Sequence, residues 1–504
     1  MEMCVKLRSF DVARRINSYM HIRKMHYSVM SVRNSAASQR NDDRLPCLEV
    51  RRHRGAGLRN DKGVTLAPRI EHRCSSTSLY TPPAEGENVP FVLKPELDFN
   101  ALLRDGEKFE KSIEAREMEV EGINIPEMNS IWKEVCDLEE QKNQMERKKK
   151  ALNTRAKELS KQKGGSVSKE KVQLEGRKIR EEVKSLNTSL NGLMNRLYPL
   201  ALALPNSLHN AVPVGDENVV KETVGDGLAS LESRKEHPSI STHHPMVHPG
   251  YCYTEGELVI KELDLVSSAA SHLTSNGFTR FAMPDMYKPL LREALGLNAE
   301  EFNETYAIQT RENLMHLAGT SPMGFLAYYM NSVLEASDLP QRCFAVGRHY
   351  NAAAESAKFQ GLHHQYQDSR LEIFGVSEGA EDSSNALLFQ YLHIVTDLIS
   401  TFDLPFRVVE VSSRNLLPCM RRQMAVELWI PSERNYIEVA NVCNCTDFIS
   451  RRLKIRYPTN PRESAAQSRK RSFGHTIHGT ALKTSVLLSA MLDYGALDLK
   501  EAKS

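Results

Sequence analysis

The sequence predicts an α+β protein, because its two halves carry different patterns. In the second half, strand-like runs at residues 406–411 and 426–430 stand beside a helical run at 386–401. They lack the regular alternation of strand and helix that is typical of a parallel, doubly wound sheet. In the first half, apolar residues recur at alternating spacings of three and four, which indicates long helices.

Composition narrows the possible classes of protein. The chain of 504 residues has 66 Lys and Arg against 64 Asp and Glu, so any attraction to a polyanion must come from local clusters. The apolar run at residues 197–204 is far shorter than the roughly 20 residues that span a bilayer, so no membrane insertion is expected. The nine cysteines form no C-x-x-C pair, which suits a reducing compartment.

The N-terminal segment is predicted to be a mitochondrial presequence at residues 1–60, followed by a disordered linker at 61–97. No acidic residue occurs between positions 12 and 41, where arginines recur among serines and apolar residues. This composition is typical of import into the mitochondrial matrix, and the apolar core of a secretory signal is missing. A basic tail on a cytosolic protein is the alternative.

Residues 98–215 are predicted to form a helical arm. The first seam consists of Ile131, Val135, Leu138, Met145, Leu152, Ala156 and Leu159, with Lys142 and Lys149 at two of its positions. After a break at Gly164, Gly165 and Ser166, the second seam consists of Ile179, Val183, Leu186, Leu190, Leu193 and Leu197. Neither helix can bury its seam alone, so we expect an antiparallel coiled coil.

Basic residues gather toward the turn of this arm. They are Arg147, Lys148, Lys149, Lys150, Arg155, Lys157, Lys161 and Lys163. Such a cluster can neutralise several phosphates and release their counterions, which is the main sequence-independent source of affinity for nucleic acid. A solvated helix face is the alternative.

Several motifs follow the arm in a fixed order. They lie at residues 204–206 and 212–217, at Gly277, Phe278 and Pro284, at 317–320, around Tyr350, at 361–362, 370–374, 438–439 and 444–448, and at Arg451, Arg452, His475 and Thr476. Together they resemble seryl-tRNA synthetases, a class II family, over about residues 98 to 495. The resemblance implies a class II synthetase-like core at 216–504, with an antiparallel sheet flanked by helices. It also implies an arm that binds serine tRNA and pairing of two chains through motif 1.

The same resemblance implies that the active site is degenerate. Asn351 and Val486 stand where the family has the arginines of motifs 2 and 3, and Ala353, His364, Asp368, Pro322 and His478 replace other substrate-binding residues. The absence of two charge-assisted hydrogen bonds would cost about 3 to 6 kcal/mol of ATP binding. We therefore expect a pseudoenzyme without catalytic residues, ATP binding or cofactor. A weakly active or repurposed serine–tRNA ligase, rescued by Lys483 on the helix of Val486, is the alternative.

Four positions keep the family's residue types. Thr320, Glu372, Glu438 and Thr480 match positions that touch serine, ATP or its magnesium in the family. They are expected to serve structural hydrogen bonds, and a vestigial serine pocket is the alternative.

No metal site is predicted. His243, His244, His248 and Cys252 lie close in sequence, but their spacing matches no strong zinc signature and two prolines interrupt them. Cys443 and Cys445 are two residues apart on a predicted strand, so they should share one face as core residues.

The resemblance implies two macromolecular partners. The arm is expected to bind tRNA, specifically serine tRNA. Motif 1 is expected to pair this chain with an active mitochondrial seryl-tRNA synthetase, because an interface inherited by two paralogues can stay complementary. Such a heterodimer would support mitochondrial translation.

Overall fold

A computed structural model describes the greater part of the chain. The described residues are 79–80, 93–118, 124–161, 166–225, 254–297, 305–309, 314–350, 362, 365–460, 462, 464–466 and 470–496. The predicted presequence, most of the predicted linker and the cluster at His243, His244, His248 and Cys252 lie outside these residues.

The N-terminal part is helical. Its helices are α1 (Phe99–Arg104), α2 (Gly106–Arg116), α3 (Ile125–Lys161) and α4 (Ser166–Ala203). Asp98 caps α1, because its side chain accepts a hydrogen bond from the Ala101 backbone N–H at 3.0 Å. With 37 and 38 residues, α3 and α4 are each about 55 Å long at 1.5 Å per residue.

Helices α3 and α4 pack against each other through the predicted apolar positions. Ile131 and Val135 on α3 are buried, as are Leu190 and Leu197 on α4, and these residues belong to one apolar cluster. Burial decreases toward the turn, where Leu152 and Ala156 are half-buried. Of the two lysines predicted on the seam, Lys142 is half-buried and Lys149 is exposed. The hairpin has its apolar contacts concentrated at its base.

An aromatic cluster fixes the base of the hairpin. The Tyr198 ring stacks on Tyr80 with centroids 4.3 Å apart and meets Phe99 edge-on at 5.3 Å. Leu79 and Tyr80 are 2% and 5% exposed, although they lie in the range predicted as a disordered linker. The local sequence has no periodicity there, but burial of large apolar side chains against the hairpin outweighs the entropy of ordering them.

The second half is built on an eight-stranded sheet with the order β1-β8-β9-β10-β13-β7-β6-β2. Its strands are β1 (Val219–Val224), β2 (Thr279–Phe281), β6 (Gln341–Tyr350), β7 (Gln367–Ser377), β8 (Phe406–Glu410), β9 (Arg422–Ile430), β10 (Asn435–Thr446) and β13 (His475–Lys483). All neighbours are antiparallel except β2 and β6. The predicted α+β class is confirmed.

Smaller elements complete this part of the chain. They are β3 (Met286–Tyr287), β4 (Tyr306–Gln309) and β5 (Leu314–Leu317) in a three-stranded sheet, β11 (Arg456–Pro458) and β12 (Arg471–Phe473) in a pair, and helices α5 (Glu257–Ser275), α6 (Pro289–Ala294), α7 (Pro322–Tyr329), α8 (Glu381–Ser400), α9 (Phe448–Leu453) and α10 (Thr484–Asp493). None of the described helices combines the length and apolarity needed to cross a bilayer.

The main sheet separates two apolar layers, because successive strand residues point to opposite faces. One layer contains the apolar sides of α5, α8 and α10 with residues such as Phe344 and Leu371. The other contains α7, the base of the hairpin and residues such as Cys343 and Phe374. The site described below lies along the central strands β7, β13 and β10.

Candidate functional site

Glu372 and Thr480 form the centre of the site. They are directly opposed on β7 and β13, and Thr480 Oγ1 donates a hydrogen bond to Glu372 Oε1 at 2.6 Å. Both side chains are buried. Burial raises the pKa of Glu372 to about 7, although this hydrogen bond and the charges of Arg370, His478 and Lys483 act in the opposite direction. A carboxyl group that titrates near neutral pH therefore lies in the core of the sheet.

Glu438, another of the four retained residues, is bound to Lys483. Lys483 Nζ lies 2.7 Å from Glu438 Oε1, and Asn441 Nδ2 donates to the same oxygen at 2.7 Å. Asn441 also accepts a hydrogen bond from the Thr480 backbone N–H at 3.2 Å, which joins this pair to the centre of the site. Burial alone would raise the pKa of Glu438, but Lys483 and Asn441 outweigh it, so that pKa lies below its usual value.

The predicted helical position of Lys483 is wrong. Lys483 is the last residue of β13 and the N-cap of α10, and only Val486 lies in the helix. Val486 is 3% exposed and packs in the apolar layer beneath the sheet. The two positions therefore belong to different elements, and Lys483 is held by a carboxylate rather than directed toward the place of Val486.

The charge of Asp368 is likewise neutralised by a neighbouring cation, Arg370. Its two oxygens accept hydrogen bonds from Arg370 Nε at 2.9 and 3.0 Å, and Ser485 Oγ donates to it at 3.3 Å. His349 Nδ1 is 3.7 Å from the same carboxylate, beyond hydrogen-bonding distance. Burial, together with the charges of Arg370 and Lys483, keeps the pKa of His349 well below its usual value, so this imidazole is neutral.

Thr320 is held by a different strand. Its backbone N–H donates to the Arg348 carbonyl on β6 at 2.7 Å, and its side chain lies against Gly347. A Cβ atom at Gly347 would approach Thr320 Oγ1 to 2.1 Å, so glycine is required there for this close contact. Pro322 stands in the first turn of α7, where a missing N–H costs nothing. The proline therefore begins a helix.

The remaining substituted positions fall in two places. His478 is buried on β13, and its Nε2 lies 3.5 Å from Cys445 Sγ. Asn351, Ala353 and His364 lie outside the described residues. Sequence reasoning did not identify the partners Arg370, Asn441 and Ser485. Arg370 and Asn441 lie on β7 and β10, and Ser485 lies in the first turn of α10. Arg370 belongs to the motif at 370–374, but that motif did not indicate its bond to Asp368, and no local pattern marks the other two.

The predicted RNA-binding cluster lies on the outer part of the hairpin. On α3, six of its members are exposed: Arg147, Lys148, Lys149, Lys150, Arg155 and Lys157. Lys161 ends α3 and its side chain is not among those described, and Lys163 lies outside the described residues. A groove between the helices brings Arg177 and Arg180 of α4 beside Lys149. These two arginines extend the basic surface onto the second helix, and the sequence pattern did not reveal them.

Comparisons with known proteins agree with this architecture. The tRNA synthetase class II core domain (G, H, P, S and T) matches residues 306–494. The chain is 30% identical over 421 residues to the mitochondrial serine–tRNA ligase of Mus musculus, covering 79% of each. It is 24% identical over 413 residues to the serine–tRNA synthetase-like protein Slimp of Drosophila melanogaster, covering 80% of this chain and 86% of that one.

The fold agrees with a solved structure as well. Seryl-tRNA synthetase from Pyrococcus horikoshii, complexed with ATP, superimposes with a TM-score of 0.68 at 20% identity. The match covers 79% of this chain and 94% of that one. With the sequence match to the mouse enzyme, the central sheet and the long helical pair, these findings place the protein: the chain belongs to the seryl-tRNA synthetase family.

Proposed function

We propose that this protein is a non-catalytic, mitochondrial seryl-tRNA synthetase-like protein that binds serine tRNA and neither binds ATP nor ligates serine. The observation that carries the proposal is the internal pairing of Lys483 and Arg370 in the candidate site. Lys483 is bound to Glu438 and Arg370 to Asp368, while Val486 offers only an apolar side chain.

These pairs disfavour a triphosphate for an energetic reason. A phosphate can recruit Lys483 or Arg370 only if the present ion pair is broken. That leaves a carboxylate without its partner, at a cost of about 2 to 5 kcal/mol, with the lower value for Glu438, which is 28% exposed. Asp368 and Glu438 would then also repel the incoming anion. Among the described residues of the candidate site, Arg370 and Lys483 are therefore not available to orient and stabilise phosphate oxygens during adenylate formation.

Direct measurement of ATP binding and of serine-dependent pyrophosphate exchange tests this part of the proposal. An active mitochondrial seryl-tRNA synthetase, measured in parallel, is the positive control. We expect neither heat of ATP binding nor exchange above background. Exchange that disappears in Lys483→Ala would instead establish a weak serine ligase. This second candidate function is favoured by the retention of Thr320, Glu372, Glu438 and Thr480 and by the identity to the mouse ligase.

Binding of serine tRNA is proposed for the outer part of the hairpin. Exposed Arg147, Lys148, Lys149 and Lys150 on α3 lie in the same region as Arg177 on α4. This two-sided basic surface can contact the phosphates of one RNA on adjacent helix faces. Charge reversal of Arg147, Lys148, Lys149 and Lys150 should abolish binding in a filter assay, whereas unchanged binding would refute this role.

Pairing with an active mitochondrial seryl-tRNA synthetase is proposed near motif 1. Ile260 and Leu263 lie three residues apart on α5, 60% and 64% exposed, and Met286 on β3 is 46% exposed. Large apolar side chains that are exposed to this extent indicate a surface that binds another protein. Co-expression followed by size-exclusion chromatography should give a mixed dimer that Ile260→Glu weakens. Elution of the two proteins as separate species, with no mixed dimer, would contradict the pairing.

A mitochondrial matrix location is proposed on two grounds. Residues 12–41 contain no acid, and relatives are named as mitochondrial ligases. Fusion of residues 1–60 to a reporter should direct it into isolated mitochondria in a potential-dependent manner, and a reporter left outside would contradict the location.

A further inference from the structure

Four metal-ligating side chains meet inside the core, outside the paired groups described above. Cys419 lies in the turn before β9, Cys443 and Cys445 lie on β10, and His478 lies on β13. The cysteines are fully buried and His478 is 3% exposed. Three different segments of the chain supply the group, so no spacing pattern in the sequence could identify it.

The ligand atoms of three of these residues are close enough to share one ion. One ligand atom from each of Cys419, Cys445 and His478 lies within 4.8 Å of the other two. Cys443, on the same strand as Cys445, lies directly opposite His478 of β13. The Cys443 thiol donates a hydrogen bond to the backbone carbonyl of His478 at 3.2 Å. This contact holds the Cys443 side chain next to His478.

The spacing agrees with a tetrahedral zinc site. Zinc bonds of about 2.3 Å to sulfur and about 2.0 Å to nitrogen at tetrahedral angles place S and N about 3.5 Å apart. The distance from Cys445 Sγ to His478 Nε2 is 3.5 Å. With Cys443, which lies opposite His478 on the paired strand, as the fourth ligand, the set of three cysteines and one histidine would be the closed set that is typical of structural zinc.

The backbone around the cluster is fixed by neighbouring side chains. Asn206 Nδ2 donates to the Cys419 carbonyl at 2.9 Å and to the Cys445 carbonyl at 2.8 Å. Arg116 donates to the carbonyl oxygens of Leu417 and Met420 on either side of Cys419. The turn is thus held against β10 by groups other than the thiols, which is the support that a precise metal site needs.

Buried charge near the cluster gives an independent argument. Arg116 and Arg452 are 5% and 4% exposed, and within the described residues their guanidinium NH groups donate to backbone carbonyl oxygens. Within the described part of the chain, the Nε atom of each has no hydrogen-bond partner. Zinc with three thiolates carries a net charge of about −1, which would compensate buried cations in this core.

We propose that Cys419, Cys443, Cys445 and His478 bind one zinc ion as a structural centre. The three thiols release their protons to solvent on binding, and the closed coordination leaves no position for a substrate. Through Asn206, which follows α4, the centre stiffens the junction between the hairpin and strands β9, β10 and β13. This role is separate from the proposed function, because it requires neither tRNA nor ATP.

Metal analysis of the full-length protein tests the proposal. Protein purified without chelator under reducing conditions should contain about one zinc per chain, and His478→Asn or Cys445→Ser should lower this below about 0.1. The matched control is Cys343→Ser, since Cys343 is a buried cysteine bonded to Tyr329 and not to the cluster. It should keep the zinc. Asparagine at position 478 keeps a polar side chain but has no imidazole to ligate the ion.

Cobalt replacement keeps the test decisive if the variants fold poorly. Wild-type protein stripped of metal and titrated anaerobically with Co²⁺ should develop thiolate-to-cobalt charge-transfer absorption and the intense visible bands of tetrahedral cobalt, and excess zinc should remove them. Three results would overturn the proposal: wild-type protein that neither contains zinc nor gives these bands, equal zinc in His478→Asn and wild type, or a Cys419–Cys445 disulfide in the metal-free protein kept under reducing conditions.

Discussion

Lys483 Nζ lies 2.7 Å from Glu438 Oε1 at the end of the central strand β13. The lysine is 17% exposed and the carboxylate 28%, so the pair is partly shielded from water. The pair occupies the cation that, on sequence grounds, was the best substitute for a missing arginine. This pairing makes the lysine a structural group, with consequences that can be measured.

Removal of Lys483 should destabilise the fold. Lys483→Ala leaves Glu438 without its main counter-charge, and we expect a decrease of about 2 kcal/mol in the free energy of unfolding. The double variant Lys483→Ala, Glu438→Gln should recover part of this decrease, because no charge then remains unpaired. Urea denaturation provides the measurement, with exposed Lys178→Ala as the control. A double variant less stable than the sum of both single effects would contradict the pairing.

Glu372 should make stability depend on pH. Its pKa is raised from 4.5 to about 7 in the folded protein, so the folded state binds a proton more tightly than the unfolded state. Stability is therefore lost as pH rises between these values, by up to about 3 kcal/mol, and the decrease is complete above about pH 7. Glu372→Gln should be more stable than wild type at pH 8 and nearly equal to it at pH 4.5.

The comparison at two pH values also separates this effect from packing. Glutamine can retain the contact with Thr480, so a packing defect would lower stability equally at both pH values. A constant difference between Glu372→Gln and wild type would therefore contradict the raised pKa.

Salt dependence should locate the RNA-binding surface on the hairpin. The pair Arg147→Glu, Lys148→Glu should weaken binding of serine tRNA and reduce the slope of log K against log salt by about 1 for each phosphate that is no longer neutralised. The matched control is Lys133→Glu, Lys184→Glu, which makes the same change in charge at exposed positions nearer the base. Equal weakening by both pairs would indicate attraction by net charge alone.

Tyr80 should contribute to stability although it precedes the helical part of the chain. Tyr80→Ala removes the ring that stacks on Tyr198, and we expect the free energy of unfolding to fall by about 2 to 4 kcal/mol. Tyr328→Ala is the control, because that ring is 65% exposed. Thermal unfolding of both variants provides the measurement. An unchanged midpoint for Tyr80→Ala would show that this segment is dispensable.

Part of the site was accessible from the sequence. The positions of Thr320, Glu372, Glu438 and Thr480 follow from ordered motifs, and the structure brings Glu372 and Thr480 into direct contact. The partner of Lys483 was not predicted, because a strand end and the first turn of a helix cannot be separated by local pattern alone. The burial of Leu79 and Tyr80 was missed for a related reason, since their contacts lie more than 100 residues away along the chain.

The sequence by itself determined the features that depend on local periodicity: two long helices, the α+β class and the strands at residues 406–411 and 426–430. Only the tertiary structure decided which side chains meet. The register of β10 against β13 places Cys443 opposite His478, and the turn before β9 adds Cys419. Periodicity records which face of an element is apolar, whereas contacts between distant segments depend on how those faces pack, and that information is spread over the whole chain.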